Sequence, residues 1–408
     1  MLVLAKILFV FAAMVLLIRR GFNVGYALIA ASLVLGFLFG MTPGRLSYSM
    51  FEGATELDTI NLLAIVWLIT LLGNVLKHTE NLQKAVESIQ HILGDTRVVL
   101  ASIPAFIGLM PMPGGAMLSA PLAGEVAENA GVDANTKTAI NYWFRHVWEY
   151  MFPLYPAVVL SAALLDITYA EIAVANGPLT LAAIVGGWYM LLRHVKKSDY
   201  VGYGDFLARF KVLVGSIWPI AAVIVANLVF GINLVLVLLA VLSVVFIQSG
   251  FFRGFRHRVF RETITLNLTL LILSVMVFKS VIEDSGAVNE LPSFFEGAGI
   301  PAPLILFTVP FIVGALTGIT VAAVGSTFPL LMAFIASAGV DYGNFMVAYM
   351  GAFMGVMMSP VHLCLVLTNE YYGSDFNRVY RKVVRVVGAA VAVMVVLYIM
   401  GWPAMVLG

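Results

Sequence analysis

Residues 108–122 read GLMPMPGGAMLSAPL, three prolines and three glycines inside an otherwise oily segment. Both residue types interrupt helices, proline by removing an N–H and clashing with the preceding turn, glycine by its conformational freedom. In water such a run is an ordinary loop. Here the surroundings are not aqueous, because the 408-residue chain is 61% hydrophobic and only 11% charged, with a mean hydropathy of +0.99. That composition lies far from a soluble domain's and points to an all-α polytopic membrane protein.

Crossing the hydrocarbon core of a bilayer takes about 17–25 apolar residues. Ten runs fit, at 2–18, 23–41, 58–77, 138–165, 170–194, 211–230, 232–249, 263–281, 344–368 and 383–404. The first lacks a basic flank and a cleavage signature and is expected to be a retained span rather than a signal peptide. Two further segments, 97–130 and 302–338, are too short for two crossings and too interrupted for one. The quoted stretch is the middle of the first of these.

Displacing the sequence by about 207 residues brings its halves into register. TINL at Thr59–Leu62 returns as TLNL at Thr265–Leu268, placing Asn61 and Asn267, both expected to be buried amides, at equivalent positions. Pro104 and Gly108 return as Pro310 and Gly314, AGVD at 130–133 returns at 338–341, and Pro153 is matched by Pro360. Apolar identities come cheaply in such a chain, so the weight rests on Asn, Pro, Gly and Asp. Two repeats follow, 1–200 and 201–408, each of five crossings and one odd segment. Five is an odd number, so the second repeat is predicted to be inverted.

Basic residues test that topology. They collect at Arg19 and Arg20; at Lys77, Lys84 and Arg97; from Arg193 to Lys211; from Arg253 to Arg261; and from Arg378 to Arg385. All fall on one face if 97–130 and 302–338 each enter and leave on the same side, as re-entrant hairpins. The positive-inside rule makes that face cytoplasmic, which puts both termini outside a multi-pass cell membrane. The opposite loops are acidic, with Glu52, Glu56 and Asp58, then Asp166 and Glu171, then Glu283, Asp284, Glu290 and Glu296.

Irregular backbone at mid-bilayer depth must be satisfied by protein or by a water-lined cavity. The hairpin tips are therefore expected to line a site, with Pro113, Gly114, Gly115 and Ser119 from the first and Thr317, Thr320, Ser326 and Thr327 from the second. Each hairpin precedes a broken crossing, at Pro153 and Tyr155 in 138–165 and at Ser359, Pro360 and His362 in 344–368. Four breaks near the midplane would aim half-helix N-termini at an anion and freed carbonyls at a cation.

Paired hairpins with Pro/Gly/Ser/Thr tips, each followed by a broken helix in an inverted repeat, resemble the ion-transporter superfamily. That group includes gluconate permeases, the large membrane subunits of tripartite dicarboxylate carriers and divalent-anion:sodium symporters, and the chain looks most like an uncharacterised prokaryotic branch. The resemblance implies a scaffold part, a mobile transport part carrying the hairpins, a homodimer, and a small organic anion moved with Na⁺ or H⁺. The symporters' Ser-Asn-Thr tip signature matches neither hairpin, since the second tip runs Gly325, Ser326, Thr327 without the asparagine.

Ionisable groups within crossings are costly and commonly functional. Arg145 and Glu149 share a helical face at i,i+4, as an ion pair requires, or stand in a vestibule for a substrate carboxylate. His146 and Glu149 suit metal ligation by spacing, and His362 is a candidate proton carrier or a hydrogen-bonded packing residue. Neither tip carries Asp or Glu, so Na⁺ is favoured over H⁺ as a coupling ion, and no other cofactor is expected. The lone cysteine, Cys364, argues against a disulfide framework and a Cys-ligated metal centre. A net charge of +1 offers nothing to nucleic acid. Residues 80–97 read as an amphipathic surface helix. The leading expectation is thus a secondary transporter rather than an enzyme. The alternatives are an intramembrane metal-dependent enzyme built on His146, Glu149 and His362, and a channel.

Overall fold

A computed structural model describes residues 2–79, 81–112, 115–197, 206–249, 256–287, 297, 299–337 and 339–407. Pro113 and Gly114, and the loop residues Arg253, Glu290 and Glu296, lie outside the described residues. Those described are helical, with no strand among them. In chain order the helices are α1 (Leu2–Arg19), α2 (Val24–Leu38), α3 (Pro43–Thr55), α4 (Leu57–His78), α5 (Asn81–Ile92), α6 (Thr96–Gly108), α7 (Ala116–Asn129), α8 (Ala134–Arg145), α9 (Pro156–Leu165) and α10 (Tyr169–Gly187). They continue as α11 (Phe206–Ile224), α12 (Leu234–Ser249), α13 (Arg256–Thr263), α14 (Leu266–Ser285), α15 (Ala302–Thr317), α16 (Thr320–Ile335), α17 (Tyr342–Met357), α18 (Leu363–Tyr372), α19 (Phe376–Ile399) and α20 (Ala404–Leu407). Wider π-type turns extend α10 through Leu192 and α11 through Val229.

Five stretches are long and apolar enough to cross a membrane: Leu57–His78, Tyr169–Leu192, Phe206–Val229, Val259–Ser285 and Phe376–Ile399. Their outward faces carry large apolar side chains such as Leu181, Val229, Leu266 and Ile399, each well exposed. An apolar surface of that extent suits lipid and not water. The segment 43–55, read from sequence as acidic loop, is instead α3, started by Thr42, whose hydroxyl accepts from Arg45 N–H, and by a proline in its first turn.

The interior is built from the shorter helices. Helices α6 and α7 pack side by side, as do α15 and α16, and each pair is followed by a helix that stops and restarts: α8 then α9, α17 then α18. In α17 every residue from Phe345 to Met357 is buried, and α16 is buried from Thr320 to Leu331. Helices buried all round belong at the centre of a large assembly. Glycine permits the tightest approach. A Cβ on Gly314 would collide with the Ala352 carbonyl oxygen, and one on Gly355 with that of Phe311, so α15 and α17 touch backbone to backbone. At Gly108 the same construction meets the Arg145 carbonyl oxygen and seats α6 against α8.

Equivalent positions make equivalent contacts. The two AGVD aspartates, Asp133 and Asp341, cap α8 and α17. Tyr142 donates to the Met357 carbonyl (3.1 Å) and Tyr349, 207 residues on, donates to the Glu149 carbonyl (2.7 Å), so each interrupted helix pins the other's break.

Two sequence expectations change. Asn61 and Asn267 are exposed, and Asn267 meets Asn23 at 3.2 Å. Both amides sit within the first five residues of long outer helices, on their outward side. The amphipathic segment forms α5, but its buried face, Ala85, Val86 and Ile89, packs with α11 and α6 and not on a lipid surface.

Candidate functional site

Where α8 stops, residues 145–149 present Arg145, His146 and Glu149 to the interior, and four helix beginnings meet them. Arg145 Nη1 donates to the hydroxyl of Tyr155, the residue before α9 (3.1 Å), and its Nη2 to the carbonyls of Met110 (3.1 Å) and Met112 (3.4 Å) in the first tip. Tyr155 in turn donates to the Gly108 carbonyl. Gly115, which begins α7, lies so close that a Cβ there would sit 2.6 Å from Arg145 Nη2. Thr320, first residue of α16, donates to Glu149 Oε2 at 3.3 Å. His362, before α18, stands Nε2 to Nε2 with His146 at 3.1 Å.

None of these four helix beginnings is capped by a side chain. Elsewhere eight are, by Asn23, Thr42, Asp95, Asp133, Thr168, Asn233, Asp341 and Asp375, while α4, α14 and α15 start without one. An uncapped N-terminus carries free N–H groups and about half a positive charge. The carbonyl ends of α6, α8, α15 and α17 reach the same breaks and offset those half-charges, which leaves a polar centre of mixed helix ends.

Arg145 adds a full charge to it. The residue is 2% exposed, no carboxylate among the described residues lies within ion-pair distance, and its Nε has no hydrogen-bond partner there. The expected i,i+4 pair with Glu149 is therefore not formed. Its premise was a continuous helix, and α8 ends at Arg145, so the following turns carry Glu149 away towards α16.

The imidazoles are ordered by their surroundings. His146 Nδ1 faces the Tyr142 carbonyl at 2.6 Å; a carbonyl only accepts, so Nδ1 carries the hydrogen and Nε2 presents a lone pair. His362 Nε2 is then the donor between the rings, which leaves its Nδ1 as a buried acceptor without a partner. Glu149 Oε1 is 3.8 Å from His146 Nε2. The donor atoms of His146, His362 and Cys364 all lie within 4.8 Å of one another. The lone cysteine thus does stand in a possible ligand group, against the sequence expectation. Cysteine counting addresses all-thiolate sites and overlooks a mixed one assembled across 216 residues.

The remaining expected residues divide. Ser119, Thr317, Ser326 and Thr327 spend their hydroxyls on carbonyls one turn back in their own helices. Pro153 and Ser359 are buried in the two breaks, and Pro360 is exposed. Sequence reasoning did not single out Tyr142 and Tyr349, although they fall at the same 207-residue spacing, nor Gly318, whose Cα approaches the His362 backbone so closely that a Cβ would be 3.1 Å from it.

A buried polar centre holding Arg145, His146, Glu149 and His362, enclosed by interrupted helices inside a chain with several membrane-length apolar helices, defines a multi-pass helical membrane protein with an interior polar site. The chain belongs to the family described as "Protein of unknown function (DUF401)", whose profile matches residues 2–400. No curated protein matches it.

Proposed function

We propose that this protein is a secondary active transporter of a small organic anion, with the carboxylate held between Arg145 and the uncapped starts of α7, α9, α16 and α18. The observation that carries this reading is the buried guanidinium that no described carboxylate meets at ion-pair distance, Glu149 acting on it only from farther away. Burying an unpaired cation costs several kcal/mol, and a binding protein recovers that cost only when its ligand supplies the anion. Helix N-termini converging on the same point favour the same class of ligand.

The architecture supports alternating access. Equivalent glycine approaches, capping aspartates and reciprocal tyrosine bonds at a constant sequence offset favour two inverted repeats, with 97–130 and 302–338 as re-entrant hairpins. Inverted repeats with discontinuous helices are a recurrent frame for moving a solute past a fixed site. Resemblance to the ion-transporter superfamily agrees with it. A coupling cation is part of the proposal, with Na⁺ preferred because neither tip segment contributes an Asp or Glu of its own.

Proteoliposomes supply the test. Uptake of labelled mono- and dicarboxylates is measured under an inward Na⁺ gradient, a pH gradient and neither. Gradient-driven accumulation that Arg145→Gln abolishes is the expected result. Absence of carboxylate flux under every gradient would sink the reading.

A further inference from the structure

We infer that His146, His362 and Cys364 form a binding site for a transition-metal ion of the zinc class, with Glu149 as the fourth donor. This inference stands on the arrangement of donors alone and does not require the transport reading.

Three observations point the same way. The Nε2 atoms of the two histidines are 3.1 Å apart, close to the roughly 3.4 Å that separates two nitrogens on one tetrahedral zinc with bonds of about 2.0–2.1 Å. His146 already has the tautomer of a metal ligand, its Nδ1–H engaged by the Tyr142 carbonyl and its Nε2 lone pair aimed at the cluster. Cys364 is buried beside both rings, and the ligand atoms of all three residues lie within 4.8 Å of one another.

The donor set suits the ion chemically. Two imidazoles, a thiolate and a carboxylate are borderline-soft ligands that zinc, cobalt(II) and their neighbours prefer and that Na⁺, Mg²⁺ and Ca²⁺ do not. Charge balances as well, since one thiolate and one carboxylate neutralise a dication in a buried place. Metal–sulfur and metal–nitrogen bonds of about 2.3 and 2.0 Å would draw the farthest donor inward by about 1 Å. Glu149 Oε1, 3.8 Å from His146 Nε2, stands outside the group of three that lie within 4.8 Å of one another, so it closes on the ion last and by the longest movement. On binding, the thiol proton leaves to solvent and the His362 proton moves from Nε2 to Nδ1, so one proton is released per ion.

The same cluster faces the anion-binding centre across residues 145–149. An ion held there lies beside the proposed carboxylate position and adds to its positive field.

Cobalt(II) chloride is the probe, titrated into the full-length protein in detergent and followed by absorption. One equivalent should bind and give ligand-field bands of tetrahedral intensity together with a thiolate-to-cobalt charge-transfer band, all displaced by zinc. Cys364→Ser should remove the charge-transfer band. His362→Gln should weaken apparent affinity by at least about tenfold. Elution of both variants as monodisperse species at the wild-type volume excludes misfolding as the cause. A wild-type protein without the charge-transfer band, or a band surviving Cys364→Ser, overturns the assignment. Loss of uptake in Arg145→Gln with the cobalt spectrum intact would separate the metal site from the transport reading, so that either can fail alone.

Discussion

At Arg145 the backbone of α8 receives the close approach of Gly108; at Ala352, 207 residues later, the backbone of α17 receives that of Gly314. Both positions lie on an interior helix just ahead of a break, and each helix sends a tyrosine to the other's break. One position presents a guanidinium to the interior and the other a methyl group. The second region is therefore an internal control for the first. Packing of this frame does not require a charge, because the equivalent contact is made with alanine, so the arginine answers to something outside the frame. The breaks differ correspondingly. Residues 146–155 carry His146, Glu149 and Tyr155 in a long irregular run, whereas 358–362 are short and contribute His362.

The largest expected effect lies in that asymmetry. Arg145→Gln should lower apparent carboxylate affinity in the uptake assay by about 10- to 100-fold, the worth of a charge-assisted hydrogen bond. Arg145→Lys should recover part of it, whereas Ala352→Ser should leave uptake within about twofold. Equal sensitivity at both positions would dissolve the comparison. Next come the glycines, where the regions should agree. Gly108→Ala and Gly314→Ala each force a methyl group onto a backbone carbonyl and should each cost about 1–3 kcal/mol in thermal denaturation. A variant as stable as wild type at either position would break the equivalence.

Tyr142→Phe and Tyr349→Phe each leave a buried carbonyl without its donor, at about 1–3 kcal/mol. Stability should fall alike in both, but only Tyr349→Phe should also raise the KM for uptake, because Tyr349 holds the Glu149 backbone. The smallest effects belong to the caps. Asp133→Ala and Asp341→Ala should each destabilise by about 1 kcal/mol. Burial raises the Asp133 carboxyl pKa, but hydrogen bonds from the Thr136 side chain and backbone outweigh it and leave the value below the ordinary 3.8. Its contribution is therefore full above that pH and is lost as pH falls through the lower folded value, a decline Asp133→Ala should not show.

Much of this was readable beforehand. The breaks at Pro153 and Pro360, the interior positions of Arg145, His146, Glu149 and His362, and the paired short helices around 109–115 follow from where proline, glycine and charge fall in an apolar chain, whereas the second tip, read around 314–329, is a turn at 318–319 with Gly325 to Thr327 inside α16. What escaped was three-dimensional. Periodicity assigned Arg145 and Glu149 to one helical face because nothing local announces that α8 ends at Arg145. Asn61 and Asn267 share a motif but sit near the starts of outer helices, where an amide can face outward. The hydroxyls of Ser326 and Thr327 look available in sequence and are consumed within their own helix, an alternative open to any serine or threonine one turn after a carbonyl. Cys364 was read only as arguing against a Cys-ligated centre, because a lone thiol two residues from His362 gains its third companion, His146, from the other half of the chain.

The neutral company of Arg145 carries a kinetic implication for a carrier. With nothing bound, the guanidinium has only the Tyr155 hydroxyl and two carbonyls as acceptors, and closing the interior around it removes the water that would otherwise solvate its charge. Carriers built so turn over slowly when vacant and quickly when loaded. Exchange of one anion for another across the membrane should then outrun net uptake, and unlabelled anion trapped inside vesicles should accelerate entrance of the labelled one.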